Sequence, residues 1–289
     1  MFEEFKKVHD VFRSSGIEDP ISETLNLFNI LSGGALNYID KPFLDSLHIN
    51  LSQVAQERKE GIPLEYIIGR ASFAGFDFDC SNDTLIPTEC TKLLVEVTLD
   101  FIEERQQSKR QQTVIEVGTG CGNVAVLLAL LTEDVKIIAS DISPEAIGVA
   151  RKNVYKYNLS DSVRLLCGDI FSPLRGLGYE TEIDIVVCNP PYIPTELLNK
   201  LRPEIVEYQP RIALDGGPYG ISFFQRLANE AIRILKPGGI LIFEIGERQE
   251  RLAARILSRH GIYRNIQYFK DNDGYVKVIS AFKNSVPHT

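Results

Sequence analysis

Asn189-Pro190-Pro191-Tyr192 places an amide, two rings without N–H groups and an aromatic face in four consecutive residues. Pro190 forces Asn189 into an extended conformation, and neither proline can donate a hydrogen bond. The turn therefore offers mainly acceptors: the Asn189 side-chain oxygen and main-chain carbonyls. Tyr192 adds a flat surface against which a planar group can stack. Acceptors beside an aromatic face suit a planar amino group, either a carboxamide or the exocyclic amine of a base. As a mere strand terminator the tetrapeptide would need no asparagine.

A second stretch complements the first. Glu116-Val117-Gly118-Thr119-Gly120-Cys121-Gly122 spaces its glycines as GxGxG, which permits a tight turn and close approach of a ligand to the backbone. Glu116 favours a cationic ligand over a pyrophosphate. Asp141 follows about twenty residues later, where an acid takes ribose hydroxyls in nucleotide-binding α/β folds. Gly168-Asp169-Ile170-Phe171 can line a purine, with Asp169 accepting from an exocyclic amine and Ile170 packing on the ring. The plain alternative is that Asp169 caps a loop. Together these residues describe a nucleoside site.

The elements needed to hold them are legible in the apolar periodicity. Ile183-Asp184-Ile185-Val186-Val187-Cys188 reads as a buried parallel strand ending at Asn189, and strand carboxyl ends are where open α/β sheets bind ligands. From Thr113 apolar strands alternate with amphipathic helices, the pattern of a doubly wound, mostly parallel sheet. Strands are predicted near 113–118, 135–140, 163–167, 183–188, 239–245, 263–269 and 275–282, with helices near 122–132, 144–158, 221–235 and 247–260. Ser143-Pro144-Glu145 is a strong helix start.

Upstream, Phe2, Phe5, Val8 and Phe12 lie at helical spacing before Gly16, and Asp19-Pro20 opens a second helix that ends at Gly33-Gly34. Asp40-Lys41-Pro42 opens a third and Asn50, with Gln53, a fourth. Residues 1–70 form a helical module, a stabilising appendage or a docking surface for substrate. Residues 71–87 form a β-hairpin linker, in which Phe76, Phe78 and Cys80 alternate, Ser81-Asn82-Asp83 turns and Thr84-Leu85-Ile86 returns. Residues 88–289 form the main domain, with a polar connector at 106–112 and a frayed tail at 286–289.

A net charge of −8 argues against a bare phosphate backbone as main partner. Cys80, Cys90, Cys121, Cys167 and Cys188 lack metal-ligand spacing, so no metal site and a reducing compartment are expected. No signal-length or membrane-length apolar run is present, so a cytoplasmic protein without a membrane partner is expected. His9, His48, His260 and His288 lie outside every motif.

GxGxG, Asp141, Asp169 and Asn-Pro-Pro-Tyr, in that order on successive strand ends, resemble a class I S-adenosylmethionine-dependent methyltransferase, a Rossmann-like fold. More of the chain resembles the release factor glutamine methyltransferase family: Gly61-Ile62-Pro63-Leu64-Glu65-Tyr66-Ile67-Ile68-Gly69, Leu85-Ile86-Pro87, Pro210-Arg211-Ile212-Ala213-Leu214-Asp215-Gly216-Gly217, Leu235-Lys236-Pro237-Gly238-Gly239 and Glu244-Ile245-Gly246. The resemblance implies transfer of a methyl group from S-adenosylmethionine, giving S-adenosylhomocysteine, to the glutamine side-chain amide of the Gly-Gly-Gln motif in peptide chain release factors. From the acidic balance no direct contact with nucleic acid is expected, and a monomer is expected. Cofactor contacts fall on Glu116, Gly118, Thr119, Gly120, Cys121, Gly122, Asp141, Asp169, Ile170 and Asn189. Asn189, Pro190 and Tyr192 would carry catalysis and, with Pro191, hold the substrate amide. One departure stands out: after Ile86-Pro87 the family runs Arg-Pro-Glu-Thr-Glu, and this chain reads Thr88-Glu89-Cys90-Thr91-Lys92, keeping only Thr91. Related readings are a glutamine in a ribosomal protein or, against the acidic balance, an adenine in nucleic acid. Arg211 binds substrate backbone or pairs with a neighbouring acid.

Overall fold

The computed structural model describes residues 2–32, 49–106, 111–259 and 261–284. Helices α1 (Phe2–Ser14), α2 (Pro20–Leu31), α3 (Leu51–Lys59) and α4 (Leu64–Ile68) open the chain. Asp19 accepts the Ser22 N–H, and Asn50 accepts those of Ser52 and Gln53, so both expected N-caps form. Val8, Phe12, Leu27, Phe28, Ile30, Leu31, Val54, Ala55 and Leu64 bury themselves in a core separate from the rest. The helix expected at Asp40-Lys41-Pro42, the Gly33-Gly34 stop, connector residues 107–110 and the tail lie outside the described residues.

The hairpin differs from its predicted form. Strand β1 (Arg70–Phe73) pairs antiparallel with β2 (Phe76–Asp79), whereas Thr84-Leu85-Ile86 is not a strand. Ala74 and Gly75 both have positive φ, 50° and 80°, which matches a two-residue turn to the right-handed twist of the flanking strands. The turn at Ser81 does form, with the Thr84 N–H on the Ser81 carbonyl at 3.0 Å, but it leads the chain away from the hairpin. Alternation marks a strand without naming its partner.

The remaining elements alternate as expected: α5 (Glu89–Gln106), β3 (Gln112–Val117), α6 (Asn123–Leu131), β4 (Val135–Asp141), α7 (Pro144–Lys156), β5 (Val163–Cys167), β6 (Ile183–Cys188), α8 (Pro203–Tyr208), α9 (Arg211–Leu214), α10 (Ser222–Ala231), β7 (Leu235–Glu244), α11 (Glu250–Ser258), β8 (Tyr263–Lys270) and β9 (Val276–Lys283). The seven-stranded sheet has the order β5-β4-β3-β6-β7-β9-β8, and β9 runs antiparallel to both its neighbours. Alternate residues face opposite layers. Val114, Ile185, Val187 and Ile242 pack with α5 and α6, while Ile115, Val117, Val186 and Phe243 pack with α10 and α11. Burying each such side chain contributes about 1.5–3 kcal/mol, so β6, buried at nearly every position, is fixed in register on both sides. Strand β7 begins at Leu235, earlier than predicted, because Leu235 pairs with Ile183 and the register then shifts before Ile185 meets Ile240. Pro237 and the glycines after it are tolerated in that bulge.

Strand order reverses between β3 and β6. The carboxyl ends of these two strands carry Glu116 through Gly122 and Asn189 through Tyr192 respectively, so both predicted motifs open on one crevice.

Candidate active site

One wall of the crevice is shaped by backbone. Gly118, Gly120 and Gly122 have φ of 75°, 54° and 85°, a region that costs other L-residues about 1–2 kcal/mol each. The Gly118 and Thr119 N–H groups both donate to the Ser140 carbonyl, at 2.8 and 2.9 Å, which folds the loop back onto β4. Asp141 fastens it further, one carboxylate oxygen accepting the Gly120 N–H at 2.9 Å and the other the Ser143 N–H at 3.0 Å. Each oxygen retains a second lone pair. A Cβ added at Gly118 or Gly120 would meet nothing within 4 Å. The loop thus leaves open space directly over its backbone.

Glu116 lies buried beneath this loop. Its Oε2 accepts the Thr119 hydroxyl at 2.6 Å and the Ala125 N–H at 3.0 Å. Burial nevertheless pushes its carboxyl up to about 8, outweighing those two bonds. A buried acid in this state gains most from a nearby positive charge. Buried Asn153 ties loop and hairpin together, since its Oδ1 accepts the Asp79 N–H at 2.8 Å and its Nδ2 donates to the Asp79 and Cys121 carbonyls at 2.9 and 2.8 Å. After β5, Ile170 is held at φ 48°, rare for a β-branched residue, and the Ser140 hydroxyl donates to its carbonyl. Asp169, expected to read an exocyclic amine, here pairs with Arg226 at 2.7 Å, both side chains about half exposed.

The other wall is shaped by side chains. Asn189 donates from Nδ2 to the Thr91 hydroxyl at 2.9 Å, and that hydroxyl donates to Glu244 Oε2 at 3.0 Å. The Tyr192 hydroxyl binds the same carboxylate. Among the described residues nothing donates to Asn189 Oδ1 or to the Pro190 carbonyl. Burial pushes the Glu244 carboxyl up to about 7, and it also drives the Tyr192 hydroxyl up. Buried Gln249 staples the turn from behind: its Nε2 donates to the Tyr192 carbonyl at 2.8 Å, while its Oε1 accepts the Gly246 N–H at 2.9 Å. Over the turn, the Ile193 N–H donates to the Leu214 carbonyl and the Gly216 N–H to the Ile193 carbonyl. A Cβ at Gly216 would sit 2.7 Å from the Pro191 carbonyl oxygen, so only glycine lets that segment lie so close.

Between the walls is a cleft of about 260 Å³. It is lined by Glu116, Gly118, Thr119, Gly120, Cys121, Asp141, Asp169, Ile170, Asn189 and Pro191 from the predicted set, together with Leu85, Pro87, Thr91, Ile212, Phe223 and Arg226. Gly122, Pro190 and Tyr192 are off this lining. Gly122 instead packs on Ala150 of α7, and Tyr192 has its hydroxyl on Glu244. Arg211, half of whose alternatives was a neighbouring acid, pairs with Asp215 at 3.2 Å. Sequence reasoning passed over Thr91, Glu244, Gln249 and Arg226. Two signals were present: Thr91 is the one residue retained from the family's run, and Glu244 opens Glu244-Ile245-Gly246.

A family model described as a methyltransferase domain matches residues 108–277. The release factor glutamine methyltransferase of Moorella thermoacetica is 38% identical over 231 residues, 80% of this chain and 78% of that protein. The protein of the same name from Caulobacter vibrioides is 32% identical over 281 residues, 95% of this chain and 93% of the other, so the likeness extends through the N-terminal helices. Among solved structures, a methyltransferase from Pyrococcus furiosus superposes with a TM-score of 0.52 at 22% identity, covering 79% of this chain and 99% of that one, which speaks to the fold.

Proposed function

The chain belongs to the release factor glutamine methyltransferase family, and from that membership we propose that it methylates the side-chain amide nitrogen of the glutamine in the Gly-Gly-Gln motif of peptide chain release factors, with S-adenosylmethionine as donor. The observation that carries this reading is Asn189. It lines the cleft, and among the described residues nothing donates to its oxygen; it stands at the end of a strand paired on both sides, one strand away from the glycine loop. A glutamine amide supplies two N–H groups and is planar, which is what such an acceptor selects.

The glycine-loop wall fits the donor. Open space above Gly118 and Gly120 admits a ligand against the backbone, Asp141 keeps free lone pairs for ribose hydroxyls, and the acids Glu116, Asp141 and Asp169 suit a cationic nucleoside. Ile170 supplies apolar surface for a purine. When bound, S-adenosylmethionine supplies a methyl group made electrophilic by the positive sulfonium.

The protein's part is to prepare the nitrogen. A carboxamide nitrogen is a poor nucleophile because its lone pair is delocalised into the carbonyl. Asn189 Oδ1 and the Pro190 carbonyl accept its two N–H bonds, which fixes the lone pair toward the donor side and draws electron density onto nitrogen as transfer proceeds; the one N–H proton that the methyl group replaces leaves to solvent. Leu85, Pro87 and Ile212 add apolar lining to the cleft. We further assign residues 1–70 to docking of the protein substrate, 71–87 to the link and 88–289 to catalysis. The net charge of −8 favours a protein over a nucleic-acid substrate. Among the described residues no helix is long and apolar enough to cross a membrane.

Labelled S-adenosylmethionine tests the proposal with two substrates, a release factor and the same factor with its Gly-Gly-Gln glutamine changed to alanine. Label on the first only is expected. Label on neither, from a folded chain that binds the donor, would sink it.

A further inference from the structure

An asparagine amide has nearly the same shape either way round, so what decides whether it offers oxygen or NH2 is the partner on its other side. Here that partner is Thr91, whose hydroxyl has one hydrogen to give. Glu244, as a carboxylate, only accepts, and it lies 3.0 Å from the Thr91 hydroxyl, so that hydrogen is committed. Toward Asn189 the Thr91 oxygen then only accepts, and it takes Nδ2 at 2.9 Å. The longer approach of Thr88, 3.4 Å, leaves this direction unchanged.

We propose that Thr91 and Glu244 are positioning residues: Glu244 aims the Thr91 hydroxyl, and Thr91 in turn locks Asn189 with its oxygen facing the substrate amide. The inference rests on the reading of Asn189 as the acceptor for the glutamine N–H groups. Within the segment Thr88 to Lys92, Thr91 is the residue whose side chain bonds Asn189 among the described residues, and it is the one that matches the family's run.

The relay works only while Glu244 is ionised. Thr91 from α5 and Tyr192 from the turn donate to it, Lys277 of β9 favours its charge, and Cys90 and Cys188 lie in its field as neutral thiols raised by burial. Burial outweighs these partners and pushes it up to about 7. A protonated Glu244 can donate to the Thr91 oxygen, which frees the Thr91 hydrogen to point at Asn189. The amide is then stable turned over, with NH2 facing the N–H groups it should accept.

The test compares Thr91→Val, which keeps shape and removes the hydroxyl, with Thr91→Ser, which keeps the hydroxyl, and with Glu244→Gln. Thr91→Val should lower kcat about tenfold or more, since misaligned reactants lose rate steeply, with the dissociation constant for S-adenosylmethionine unchanged; Thr91→Ser should restore most of kcat. Wild-type kcat should fall as pH drops through about 7, and Glu244→Gln should be slow and lack that limb. Thr91→Val with wild-type kcat overturns the proposal, as does a Glu244→Gln variant that keeps the acid limb. Should Thr91→Val fail to fold, the Glu244→Gln profile decides alone. In the free protein the Asn189 side-chain NH2 resonances, identified by their loss in Asn189→Asp, should titrate with Glu244 and shift in Thr91→Ser; resonances insensitive to pH between 6 and 8 would also overturn it. That readout needs no substrate, so it stands apart from failure of the functional reading, which would show as an unlabelled release factor with wild-type enzyme.

Discussion

On the glycine-loop side of the cleft the main chain is the surface: three left-handed residues and four N–H groups bent onto Ser140 and Asp141. On the Asn189 side the surface is a relay of side chains that starts at the end of β6, crosses α5 at Thr91 and finishes on β7. A backbone surface is encoded by neighbours in sequence. Thr91 and Asn189, by contrast, are 98 residues apart, and Thr91 and Glu244 are 153 apart. The first side depends on the φ of its glycines, whereas the second depends on the order of its donors and acceptors.

Substitutions can break that contrast. The largest effect is expected from Asn189→Ala, which removes the acceptor and should lower kcat by about 10²–10³-fold, as loss of one such polar group does elsewhere. Binding of S-adenosylmethionine, followed by calorimetry, should stay within about twofold, because the loop that holds it is untouched. Equal losses in kcat and donor affinity would mean the two walls are not independent. Gly120→Ala should do the reverse. It forces φ 54° on an L-residue, costs about 1–2 kcal/mol of stability read as a lowered Tm, and weakens the donor about tenfold, with kcat kept at saturation.

Glu116→Gln sharpens the comparison through pH. Because burial holds the Glu116 carboxyl near 8, it is mostly neutral at pH 7 and ionises as pH rises. Affinity for the cationic donor should therefore tighten severalfold between pH 7 and 9 in the wild type and stay flat in the variant. The sign for the free protein is opposite. A carboxyl raised on folding stabilises the folded state below its unfolded value, and that contribution is lost as pH climbs through about 8. The smallest effect belongs to Arg226→Ala. Its pair with Asp169 is about half exposed, so Tm should move little, on the order of 0–1 kcal/mol in stability. A larger loss would mean that Arg226 supports the glycine-loop wall.

This contrast also governs how much could be read from the sequence. Gly118 to Gly122, Asp141 and Asn189 declare themselves because each motif is contiguous and sits at the end of an apolar run whose period is plain. The Ser143 cap, which accepts the Ala146 N–H at 3.0 Å, is equally local. Thr91 and Glu244 have no such context. Their meaning arises only when β6 and β7 lie side by side and the start of α5 packs across their ends, and a lone threonine at a helix start reads as a cap. The hairpin was misread for a related reason: Phe76 and Phe78 announce a strand, but the positive φ at Ala74 that selects its partner is invisible in an alanine. The early start of β7 hid behind Pro237 and Gly238, which signal a loop unless a bulge accommodates them.

Arg58 of α3 is held at once by Glu23 of α2, at 2.7 Å, and by Glu204 of α8, at 2.8 Å. Tyr208, at the end of α8, donates to the Glu60 carbonyl at 3.0 Å. Helix α8 leads into Pro210 to Gly217, the segment laid over the Asn189 turn. The N-terminal helices therefore grip the roof of the cleft by polar bonds while keeping an apolar core of their own. The Arg58 joint is largely shielded from water and rigidly links two parts whose cores are otherwise separate, so a load on the helices is transmitted to the roof over Asn189 rather than absorbed between them.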